Sequence, residues 1–154
     1  MSASEAVQRL LGPGHLLWTP APGVSALSTL RRGGVSQGHW GGSDGAPVGL
    51  NLGTHVGDAP AHVAANRARL QQAIGLPILW MTQVHGVDVF DADVDPQDPA
   101  HPEPKPEHAT EANATGGAEV SGTPRADAAV STQGGRALCI MTADCLPVLL
   151  ADGQ

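Results

Sequence analysis

The chain has 154 residues and a formal charge of −7, and 41% of its residues are apolar while only 3% are aromatic. That length suits one domain with a core of its own, packed from Leu, Val, Ile and Ala. Eight acids against the single base Lys105 lie between Asp88 and Glu111 and account for the whole charge imbalance, so the acidity belongs to one segment and, with no basic stripe elsewhere, argues against a nucleic-acid-binding face.

Cys139 and Cys145 are the only cysteines, too few for a disulfide framework and compatible with a reducing compartment. The N-terminus lacks a basic segment followed by an apolar core, and no run approaches the roughly eighteen apolar residues of a membrane span. The expectation is a soluble, cytoplasmic protein with no membrane partner.

Residues 1–11 carry a weak helical pattern through Ala6, Leu10 and Leu11 that stops at Gly12-Pro13-Gly14, which predicts no more than a terminal arm. Residues 15–18 read as a first strand and 24–30 as a second, with Pro20 and Pro22 marking the turn between them. Arg31-Arg32-Gly33-Gly34-Val35-Ser36 then interrupts any regular element. An arginine beside such a turn can grip an anion in a bidentate fork, or it can simply be solvated. Residues 37–48 read as a glycine-rich surface loop.

Residues 49–58 alternate as a short strand ending in a turn, with Asp58 placed as an N-cap and Pro60 near the first helical position. Val63, Arg67, Leu70 and Ile74 fall on one helical face, and Gly75 and Pro77 end the helix. Residues 78–84 and 87–90 are β-rich runs that predict either a hairpin or one bent strand with His85 at the bend. The stretch 91–124 is acidic, rich in proline and almost free of large apolar residues, so it reads as a mobile insertion in which His101 and His108 are idle. Residues 125–130 return to order, and 137–142 and 146–150 read as two apolar strands flanking Ala143-Asp144-Cys145. Asp152-Gly153 is a hairpin signal with no second strand after it, so residues 1–154 are expected to be a single but incomplete domain.

His85 and Cys145 each stand at the end of an apolar run. A thiolate and an imidazole brought together are the beginnings of a zinc site, since that ion takes sulfur and nitrogen in a tetrahedral shell. Two ligands are not a site. By spacing alone, the favoured reading is that Cys145 is a small buried hydrophobe and His85 a turn residue.

The ordered segments resemble the laccase-domain, or YfiH-like, family. The matching pieces are Arg32-Gly33-Gly34-Val35-Ser36, Leu50-Asn51-Leu52-Gly53 with His55-Val56-Gly57-Asp58, Asn66-Arg67, Gln83-Val84-His85-Gly86, Ala126-Asp127-Ala128 and Thr142-Ala143-Asp144-Cys145-Leu146-Pro147-Val148. The resemblance implies an α/β (α+β) fold with mixed β-sheets flanked by helices, of which this chain holds the N-terminal part. It further implies a zinc held by His85, Cys145 and a second histidine from a downstream His-Ala-Gly-Trp-Arg motif absent here. Three protein ligands would leave one position for water or substrate.

The activity implied is phosphorolysis of adenosine, inosine and methylthioadenosine to base and ribose 1-phosphate, with adenosine deamination beside it. The partners are then a purine nucleoside and phosphate. In this reading Asp144, Cys145 and His85 are catalytic, Arg32 holds phosphate, Asn51 and His55 serve substrate, and Asp127 ties the start of a strand. Three other readings stand beside it: a cysteine-type amide hydrolase with Cys145 as nucleophile and His85 as base, a laccase-like polyphenol oxidase, and an inactive fragment that only binds partners. The histidines contain no His-x-His pair of the kind a trinuclear copper cluster needs, which disfavours the oxidase, although copper can occupy a Cys/His site adventitiously.

Overall fold

The computed structural model describes residues 2–94 and 123–153. The expected insertion therefore lies almost wholly outside the described residues. The chain forms two compact units, Met1–Leu76 with Met141–Gln154, and Pro77–Ile140.

In the first unit, helix α1 spans Ala3–Leu11. It begins with a capping box: the Ser2 hydroxyl accepts the Glu5 N–H at 3.2 Å, and the Glu5 carboxylate accepts the Ser2 N–H at 2.6 Å. Two otherwise orphaned donors are thereby satisfied. The helix ends at Gly12, whose N–H returns to the Gln8 carbonyl. Far from being a loose arm, α1 buries Val7 and Leu11 and packs on the second helix, α2, Pro60–Ile74. Fully burying a Val or Leu side chain contributes about 1.5–3 kcal/mol, which is enough to hold a short helix that propensity alone would leave frayed.

Strands β1, Leu16–Ala21, and β2, Val24–Ser28, form an antiparallel hairpin turning through Gly23, with an irregularity in register between Trp18 and Ala21. Strand β3, Arg32–Ser36, occupies the stretch expected to interrupt regular structure. Its glycines are required by closeness: a Cβ on Gly34 would stand 2.2 Å from the Asn66 side-chain oxygen and 2.3 Å from the Gly49 carbonyl. β3 borders the 48–50 segment, whose Val48 carbonyl accepts both the Gly33 and Gly34 N–H groups while the Leu50 N–H reaches the Arg31 carbonyl at 2.7 Å. The strand expected at 49–58 is reduced to bridges at Gly49, and the rest runs through bends.

Pro60 opens α2 as anticipated, but the N-cap is Ala59, and Asp58 contributes from one position earlier by accepting the Ala59 N–H at 2.8 Å. Gly75 ends the helix in the left-handed conformation, φ 78°. The buried face is Val63, Asn66, Leu70 and Ala73. The apolar periodicity centres the face on Arg67 and Ile74, with Ala73 beside it, and leaves out Asn66. Ridges three and four residues apart are equally compatible with an apolar stripe, and the polar Asn66 masked the true one.

The second unit pairs β4, Ile78–Leu79, in parallel with β7, Ala137–Leu138, and β5, Val89–Asp91, in parallel with β6, Ala128–Val130. The runs flanking His85 thus belong to different two-stranded sheets, and the hairpin reading is corrected. β-rich composition cannot say which strand a run will pair with, because pairing is set by distant segments. Of the two strands expected at 137–142 and 146–150, the first is shortened to β7 and the second is corrected: residues 139–153 contain no strand, and Leu146 and Leu150 are 87% and 88% exposed, with no partner for their backbone among the described residues. The elements are those of a mixed α/β fold, with small two-stranded sheets and, in the first unit, two packed helices.

Candidate functional site

The polar centre of the first unit is Asn66, which is 0% exposed. Its side-chain oxygen accepts the Val35 N–H at 2.8 Å. Its amide nitrogen reaches the Ser36 hydroxyl, the Gly49 carbonyl and the Asn51 carbonyl at 2.9, 3.1 and 2.9 Å, so two N–H bonds are shared among three acceptors. Ser36, equally buried, donates to the Asp58 carboxylate at 2.6 Å. Asn51 donates to the same carboxylate at 3.1 Å and closes a turn on Gly53. Burial pushes the Asp58 carboxyl up and is the largest single influence on it. Hydrogen bonds from Ser36, Asn51 and the Ala59 N–H, with His62 alongside, outweigh that burial and leave the group below its ordinary value. His62 Nδ1 stands 3.5 Å from Asp58, close enough for charge attraction but not for an aligned hydrogen bond.

Arg67, next on α2, donates from Nε to the Leu52 carbonyl at 2.9 Å and lies 3.8 Å from the Met141 sulfur. One helix side chain therefore fixes β3 and the 49–53 segment, and its neighbour fixes the latter to the chain's last stretch. Asn51, expected to meet substrate, has both amide hydrogens engaged on Gly53 and Asp58. His55 is exposed on the following bend, without a side-chain partner among the described residues. Arg31 anchors the adjoining loop through the His39 and Gly41 carbonyls. Arg32 is exposed and lines a cavity of about 520 Å³ with Arg9 and Arg69. Neither of those two was singled out in the sequence, because they come from separate helices and no local spacing links them to Arg32.

In the second unit, Asp127 does what its place before β6 suggested, and more. Its carboxylate accepts the N–H groups of Val84 and His85 on one oxygen, at 3.0 and 2.8 Å, and that of Gly86 on the other, at 2.7 Å. Three consecutive donors are thus turned toward one carboxylate. His85 sits at φ 59°, the only positive φ at a non-glycine residue among those described. This conformation is uncommon for a side-chain-bearing residue, and the three-way clamp holds it there. The imidazole itself is left exposed.

Asp144 and Cys145 are both exposed, and the Cys145 sulfur lies 3.9 Å from an Asp144 oxygen. No histidine hydrogen-bonds Cys145 among the described residues. The metal expectation is corrected. Among the described residues there is no group of three or more His, Cys, Asp or Glu side chains that could hold a metal ion, so neither a zinc nor a copper cofactor fits what His85 and Cys145 provide. The zinc-dependent form of the function falls with it. No helix among the described residues is long and apolar enough to cross a membrane.

Small parallel and antiparallel sheets and two helices, with β3 and its neighbouring segments tied to one buried helix asparagine, define a mixed α/β domain class. The chain belongs to the multi-copper polyphenol oxidoreductase laccase family, whose sequence pattern matches residues 25–154. It is 45% identical to a purine nucleoside phosphorylase of Xylella fastidiosa over 87% of this chain and 44% of that protein. It is 36% identical to the purine nucleoside phosphorylase YfiH of Escherichia coli over 88% of this chain and 44% of that protein. Among solved structures, a Neisseria meningitidis protein shares the fold at a TM-score of 0.58 and 40% identity, over 85% of this chain and 42% of that one. The chain thus spans less than half the length of these relatives.

Proposed function

We propose that the chain contributes to a purine nucleoside phosphorylase, in which a phosphate dianion attacks the anomeric carbon of a purine nucleoside and the base departs with a proton. The observation that carries this is its 45% identity to a protein bearing that name, extending over the segments that meet at Asn66. In this reading Arg32 faces the phosphate, because guanidinium geometry matches two phosphate oxygens at once. His55, exposed beside the Asn51 turn, contacts the nucleoside, and Asn51 reaches it only by releasing Asp58. His85, Asp144 and Cys145 are separate candidates for the proton that goes to the leaving purine.

The test is hypoxanthine release from inosine by the 154-residue chain, followed with and without inorganic phosphate. Release that requires phosphate supports the reading. Release at the same rate in phosphate-free buffer, or none in either, contradicts it.

A further inference from the structure

The cavity beside Arg32 carries an assignment beyond that single residue: we infer that Arg9, Arg32 and Arg69 together form a binding site for a tetrahedral phosphate dianion. The inference rests on the phosphorylase reading only for what the phosphate is used for.

The cavity, about 520 Å³, lies among the C-terminal end of α1, the start of β3 and the middle of α2. Three guanidinium-bearing side chains line it and no acidic residue does, in a chain whose overall charge is −7. The Arg9 and Arg32 side chains donate to no protein group among the described residues. Arg69 gives its Nε to the Leu10 carbonyl, which fixes the side chain and leaves its terminal nitrogens for a ligand.

One feature opposes an anion here, the negative end of the α1 dipole. It is blunted because three of the last four carbonyls are already taken: Leu10 by Arg69, Leu11 by the His15 ring at 3.1 Å, and Gln8 by the Gly12 N–H at 3.0 Å. The half-charge of a helix end is outweighed by three full charges. Backbone donors do not supply the site, since the Gly33 and Gly34 N–H groups are spent on the Val48 carbonyl at 2.9 and 3.2 Å. Recognition must come from the guanidinium forks, which suit phosphate oxygens in pairs. The volume falls within the range of small-molecule sites and leaves room beside the anion for the body of a phosphate ester.

The experiment is calorimetric titration of the full 154-residue chain with inorganic phosphate at low ionic strength, without nucleoside, repeated for Arg9→Gln and Arg32→Gln. Arg69 is left intact because it caps α1; circular dichroism checks that each variant stays folded. The expected result is saturable one-to-one binding, weakened about tenfold by each substitution, reduced by added salt and competed by sulfate. Displacement by ribose 1-phosphate marks the ester as a second occupant; failure to displace marks the free anion as the ligand. No saturable binding by the native chain, or binding unchanged in the Arg9→Gln/Arg32→Gln double variant, overturns the site. Binding that behaves as expected in a chain that does not cleave inosine leaves the site standing and removes the phosphorylase reading.

Discussion

Asn66 satisfies four groups from a position with no access to water, and truncating it to Ala would strand the Val35 N–H and the carbonyls of Gly49 and Asn51. Each buried group left unpaired costs about 1–3 kcal/mol, whereas the better helix propensity of Ala returns only about 0.7 kcal/mol. Asn66→Ala should therefore lower stability by about 3 kcal/mol, seen as a shifted urea midpoint; a loss under about 1 kcal/mol would show that the network is replaceable. Asp58 sets a pH dependence at the same spot. Its folded pKa lies below the unfolded value, so its contribution is fully present above the unfolded value and is lost as pH falls through the folded one. Urea midpoints should drop on acidification across that window and drop less in Asp58→Asn. An equal drop in both proteins would place the acid sensitivity elsewhere.

At the scale of elements, the clamp on residues 84–86 is the most specific prediction. Asp127→Ala removes the acceptor for three backbone donors at once and frees His85 from its left-handed conformation. Amide exchange at Val84, His85 and Gly86 should accelerate together, with little change at β1 and β2; unchanged protection at all three would mean that neighbouring packing holds the loop. The elements also show what sequence reading can and cannot reach. The ends of α2 were legible because Pro60 and Gly75 act through their own backbone geometry. Helix α1 was underrated because its capping box and its packing on α2 carry it, and only the first of these is local. β3 was hidden by its glycines, which read as a turn but are there because Asn66 and Gly49 stand where side chains would be. The strands of the second unit pair with segments some forty to sixty residues away, so their partners could not be read from composition.

For the molecule as a whole, the family was readable because several of its sequence pieces hydrogen-bond to one another: β3, the 49–53 turn and Asp58 all meet at Asn66 and its neighbours. The metal centre was misread for the complementary reason. His85 and Cys145 have suitable side chains, but what the structure builds around the first is a backbone clamp and around the second an exposed turn, and neither is a ligand shell. Arg32 was visible as a candidate, whereas Arg9 and Arg69 became visible only once α1 and α2 were packed beside β3.

The most direct test of the proposed chemistry asks which molecule attacks the sugar. Inosine is incubated with the chain and ordinary inorganic phosphate in water enriched in oxygen-18, and the sugar product is analysed by mass spectrometry. Phosphate as nucleophile predicts ribose 1-phosphate whose anomeric oxygen carries no solvent label, in amounts equal to the hypoxanthine released. Free ribose carrying solvent oxygen, with no ribose 1-phosphate, would contradict it.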